Sequence, residues 1–128
     1  MNILIEVSPG ELVDKLTILE IKLENISDAG KLSNIRREHD LLTARLRNGL
    51  AKSPDLTALT AELKAVNQAI WHLEDDIRDH ERKENFGDSF VKLARLVYKT
   101  NDKRAAIKRK INDLLKSEII EEKSYAKY

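Results

Sequence analysis

No cysteine occurs in this chain of 128 residues, which excludes disulfides, thiolate metal sites and thiol nucleophiles. Four glycines and two prolines are too few for a turn-rich all-β fold. Aromatic side chains make up 5% of the residues, with a single tryptophan, so a run of stacking platforms for nucleic acid is missing. No apolar run approaches the roughly 20 residues needed to cross a bilayer. Lys and Arg number 23 and Asp and Glu 22, so no bulk charge draws the chain to nucleic acid or anionic lipid. Met1–Val7 stops at Ser8-Pro9 without the basic, apolar and small-residue regions of a signal peptide, and a cytoplasmic chain is expected.

What is present is 41% hydrophobic and 35% charged, too hydrophobic for a disordered tail and too charged for a membrane span. Residues 1–128 are expected to form one helical domain with one core. Ser8-Pro9-Gly10-Glu11 reads as a capping box with Val7 and Leu12 at the staple positions. Leu12, Leu16, Leu19, Leu23 and Ile26 follow at alternating spacings of four and three, one apolar stripe of a helix. Asp28-Ala29-Gly30 breaks it. A second helix carries Leu32, Ile35, His39, Leu42 and Leu46 and ends near Asn48-Gly49. Ser53-Pro54 opens a third, whose seam runs Leu56, Leu59, Leu63, Val66, Ile70, Leu73, Ile77, His80. After Phe86-Gly87-Asp88 a fourth carries Phe90, Leu93, Val97, Thr100, Arg104, Ile107, Ile111 and Leu114. Ile3–Val7 and Ile119–Tyr125 have strand-like composition, and neither can form a sheet alone. The expected fold is therefore all-α: an antiparallel four-helix bundle with a long helical hairpin, plus a small strand pair from the two termini.

Three constellations are candidates for chemistry. His72, Asp76 and His80 fall at i, i+4 and i+8, but the two imidazoles are then about 12 Å apart along the axis, too far to share an ion. His39, on the second helix's seam, is expected opposite Val66. Glu11-x-x-Asp14 and the cluster Glu74, Asp75, Asp76 resemble the carboxylate pairs that hold magnesium in all-α nucleotide pyrophosphohydrolases, yet up-down topology separates them by about 20 Å. The third constellation ranks highest. Trp71, Glu74, Asp75 and Arg78 form a second face of helix three, matched by Arg95, Tyr98, Asn101, Asp102 and Arg104 on helix four. A tryptophan among charges is expensive unless covered, and an arginine on a core stripe needs a carboxylate, an amide or an anionic ligand. Arg104 is expected to pair across helices, with Trp71 capping the layer. The first reading of the same residues is an internal salt-bridge layer that fixes helix register, and the second is a surface for a ligand or a partner protein. Seven basic residues between Lys99 and Lys116 could follow a phosphate backbone, but the chain has no DNA-binding signature, and the acidic end of helix three is an expected counterweight.

The strings Ser8-Pro9-Gly10-Glu11-Leu12-Val13-Asp14-Lys15-Leu16-Thr17-Ile18-Leu19-Glu20-Ile21-Lys22, Trp71-His72-Leu73-Glu74-Asp75-Asp76-Ile77-Arg78, Val97-Tyr98-Lys99-Thr100-Asn101-Asp102-Lys103-Arg104 and Glu121-Glu122-Lys123-Ser124-Tyr125 resemble a family of small bacterial proteins of unknown function. The resemblance implies a setting beside glycosyltransferases for surface polysaccharide, and its pattern overlaps the third constellation. The expected function is a non-enzymatic accessory or protein-interaction module, partnered by another protein or by itself as a homo-oligomer. No cofactor, metal or catalytic residue is expected. The alternative is a magnesium-dependent hydrolase acting on a nucleotide or nucleotide sugar.

Overall fold

Helix α1, Pro9–Asn25, starts where proline has its φ preset, and the Ser8 hydroxyl accepts the Glu11 amide at 3.2 Å. The computed structural model, which describes residues 1–49 and 52–128, continues with α2 (Ala29–Gly49), α3 (Pro54–Arg82) and α4 (Asp88–Leu114). Ser53 caps α3 as Ser8 caps α1, accepting the Leu56 amide at 3.1 Å. Asp28 serves α2, its carboxylate taking the Lys31 amide at 2.8 Å. Helices α3 and α4 both end in Schellman turns. Asn85 N–H donates to the His80 carbonyl and Ser117 N–H to that of Asn112. The left-handed residue in each turn is Glu84 or Lys116, not a glycine, which is why composition did not mark these stops.

Helix α1 packs against all three of the others, and α3 and α4 form the long hairpin. The hairpin is antiparallel: near its turn the Nε2 of His80 meets the Ser89 hydroxyl at 3.1 Å, and further down Arg104 reaches Asn67. His80 Nδ1 lies 2.8 Å from the Asp76 carbonyl, which can only accept and so assigns the proton to Nδ1. Val13, Leu56, Leu63, Ile107 and Ile111 make the central core where α1 crosses the hairpin. Among the described residues the α2 backbone lies close to α1 alone and α2 buries only Ile35, while its Leu46 packs against the central core. The bundle is therefore three helices around one core with α2 laid on the outside of α1. His39 accordingly faces Glu20 of α1, 3.9 Å away, and not Val66.

The expected strand pair does not form; among the described residues there is no strand. Ile3, Leu4 and Ile5 stand exposed with no ladder partner. The segment after α4 is drawn onto that helix by charge instead, through Glu121 on Lys108 and Glu122 on Arg109. No helix among the described residues is long and apolar enough to cross a membrane.

Candidate functional site

Helix α1 is apolar around most of its circumference, the pattern of a helix enclosed by neighbours. Its polar residues are consequently buried with it. Asp14 is 6% exposed and Thr17 1%, both turned toward α3. The Asn67 amide nitrogen donates to Asp14 Oδ1 at 2.8 Å and to Thr17 Oγ1 at 3.0 Å. Its oxygen accepts from Arg104 at 3.4 Å, and Arg104 donates its second nitrogen to Asn101 at 2.7 Å. Arg104, on the core stripe of α4, thus pairs with an amide from another helix, as its position requires.

Beside this network lies a cluster around Lys108. Its ammonium is 2.6 Å from Glu11, 3.7 Å from Asp14 and 3.6 Å from Glu121. The Glu11 side chain therefore does not close a reciprocal capping box with the Ser8 amide but reaches across to α4. Burial alone would push the Glu11 carboxyl up and the Lys108 ammonium down. The short hydrogen bond between them, with the charges of Lys15 on Glu11 and of Asp14 and Glu121 on Lys108, outweighs burial. Glu11 is held below the usual carboxylate range and Lys108 above the usual lysine range.

These directions set a pH dependence. A depressed carboxyl stabilises the fold above its unfolded value and loses that contribution as pH falls through the folded value. Glu11→Gln should cost about 1 kcal/mol at neutral pH, discounted because the pair is partly solvated. The difference should shrink below about pH 4.3. Melting temperatures of both proteins from pH 7 to pH 3 check this, and a difference that stays constant would show that the pair contributes through packing alone.

The sequence-derived residues fall into two groups that share Arg104. Trp71 is half-buried in a groove of about 430 Å³ between α1 and α3, with Ile18, Ile21, Glu74, Asp75, Arg78 and Arg104 on its walls. Glu74 and Arg78 are paired within the helix. Tyr98, Asn101, Asp102 and Arg104 line a second cleft, of about 840 Å³, between α4 and residues 123–128. There the Tyr128 hydroxyl donates to Asp102, and the rings of Tyr98 and Tyr128 meet edge to face at 5.3 Å. The same contact with Asp102 raises the Tyr128 phenol. Arg95 is exposed and lines neither.

Asn67 and Lys108 were not among the sequence candidates, nor were Lys123 and Tyr125, and Asp14 was one only as half of a carboxylate pair with Glu11. The all-round apolarity of α1 was the signal for Asp14. Asn67 was marked by its place between Leu63 and Ile70. The carboxylates of Glu11 and Asp14 converge on Lys108 and do not face Glu74–Asp76. Among the described residues no three His, Asp or Glu side chains gather in a metal-holding arrangement. The basic run of α4 draws its counterions from Glu11, Glu121, Asp113 and Glu122, not from the acidic end of α3.

Residues 3–128 match DUF6165, a family of unknown function, and the chain belongs to that family. Neither the curated proteins nor the solved structures contain a match to it.

Proposed function

We propose that this member of the family is a non-enzymatic interaction module that assembles with a second copy of itself through the outer half of the α3–α4 hairpin. The observation that carries the reading is surface area. The chain exposes 9338 Å². A compact monomer of 14.7 kDa is expected to expose about 6,900 Å². Extended residues 1–7 and the exposed segment 121–128 supply part of the surplus, and the outer hairpin supplies part. Between Asn67 and Thr100 neither helix has a buried residue, while Phe86, Val91 and Leu96 are exposed. Two copies that each bury about a third of this surplus of roughly 2,400 Å² would cover about 1,600 Å² together, the size of a stable interface.

Charge favours a like partner. From Glu74 to Glu84 there are six carboxylates against three cations, and from Lys92 to Lys103 four cations against Asp102. A twofold axis lays the acidic helix of one copy along the basic helix of the other, an isologous arrangement. Trp71 stands where α1 leaves the hairpin and this face begins. The surface-polysaccharide setting implied by the resemblance would make the module an accessory to such assembly.

Light scattering coupled to gel filtration, from micromolar to hundreds of micromolar, should give twice the chain mass. Val91→Glu with Leu96→Glu should give the monomer without loss of helix, since both side chains are exposed. A monomer at every concentration, or a dimer indifferent to both substitutions, would overturn the reading. A melting temperature that rises only with Mg²⁺ and a nucleotide together would favour the hydrolase.

A further inference from the structure

Arg104 carries a half-buried guanidinium whose partners, Asn67 and Asn101, are both neutral amides. Among the described residues it has no carboxylate at ion-pair distance. A charge drawn out of water and left with amide dipoles alone is poorly compensated. It opens onto the cleft between α4 and residues 123–128. Lys123 and Lys127 line the same cleft, and among the described residues neither pairs with a carboxylate. The one carboxylate on its wall, Asp102, is engaged by the Tyr128 hydroxyl. Three cations therefore face a space of about 840 Å³, within the range of small-molecule sites. An aromatic face is available beside them: Tyr125 is 76% exposed, with the Lys123 ammonium 5.8 Å from its ring centroid.

We propose that this cleft binds a phosphate ester carried on a ring, the phosphate on Arg104, Lys123 and Lys127 and the ring against Tyr125. A dianion matches this set better than a single carboxylate does. The guanidinium fork takes two phosphate oxygens and the ammoniums supply the remaining charge. The ring face of either a nucleoside or a sugar suits a tyrosine wall, so the shared chemistry is a ring-borne phosphate. The site adjoins the hairpin face proposed for self-assembly, sharing Tyr98 and Asp102 with the stretch used there, and its argument does not depend on a dimer.

The test is titration calorimetry of the full chain in EDTA with three probes: ADP, glucose 1-phosphate and inorganic pyrophosphate. ADP or glucose 1-phosphate should bind saturably at one site per chain, and whichever is tighter identifies the ring. Lys123→Gln and Tyr125→Ala should each weaken that binding at least tenfold while unliganded melting stays unchanged, because both side chains lie on the surface. Arg104→Gln should abolish it. Pyrophosphate binding as tightly as the better ring-borne probe would refute the role of Tyr125. No binding of any probe, or binding that survives both surface substitutions, would overturn the site.

Discussion

Gly10→Ala should destabilise the protein by about 2–4 kcal/mol, although alanine is the better helix former by about 1 kcal/mol. A Cβ at Gly10 would sit 2.6 Å from the Lys108 carbonyl oxygen and 2.8 Å from Asn112 Oδ1. The first of these is α4 backbone and cannot rotate aside. The start of α1 would have to move off α4, breaking the buried hydrogen bond from the Gly10 amide to Asn112 at 2.8 Å. The same movement would pull Glu11 from Lys108 and loosen Val13 against Ile107 and Ile111. Gly30 supplies the control. It lies in the first turn of α2, and a Cβ there meets only the Asp28 carboxylate, at an ordinary 3.4 Å. Gly30→Ala should therefore be stabilising by about 0.5 kcal/mol, through propensity and a less flexible unfolded chain. Urea denaturation of the two variants should give shifts of opposite sign. Equal midpoints would show that α1 and α4 do not meet as closely as Gly10 indicates.

The contrast between these glycines marks what the sequence makes legible. Helices, caps and breaks are local, and their signals are local too: Ser8-Pro9 and Ser53-Pro54 open α1 and α3, and the alternating spacings carry each helix to its end. Gly10 reads as part of a cap because its reason for being glycine lies on α4, about 100 residues away. The stripe on α1 from Leu12 to Ile26 is a one-sided reading of a helix that has three neighbours. The structure instead buries Val13, Leu16, Leu19 and Ile21 around several sides, and with them Asp14 and Thr17. Asn67 escapes a reading by seam alone because it stands one position past Val66, where the α1 and α4 contacts of α3 overlap. The termini misled for a related reason. Ile119–Tyr125 has the composition of a strand, but Glu121 and Glu122 have cations opposite them on α4, and ion pairs between side chains decide its path. In the candidate site, Trp71 and Arg104 were legible because each is out of place on its own helix face. Lys123 and Tyr125 were not, since nothing in their neighbourhood reveals that the chain turns back over Tyr98 and Asp102.

Asn67→Leu should cost about 3 kcal/mol, even though leucine has the same branched skeleton and suits a seam already made of Leu63, Val66 and Ile70. Asn67 is 4% exposed and serves three partners at once. Thr17 survives its loss, because the hydroxyl still donates to the Asp14 carbonyl at 2.8 Å. Arg104 keeps Asn101. Asp14 does not recover. Its carboxylate, 6% exposed, would be left with the Lys108 ammonium at 3.7 Å, an attraction shared with Glu11 and Glu121. A buried charge stripped of its hydrogen bond costs its desolvation, whereas removing both partners together can be nearly neutral. Asp14→Leu combined with Asn67→Leu should therefore be less destabilised than the sum of the two single variants, by about 1–2 kcal/mol. Chemical denaturation of the four proteins in the cycle measures that coupling. Strict additivity would mean that the Asp14–Asn67 bond carries no energy of its own, and the polar layer beneath Arg104 would then be packing without a network.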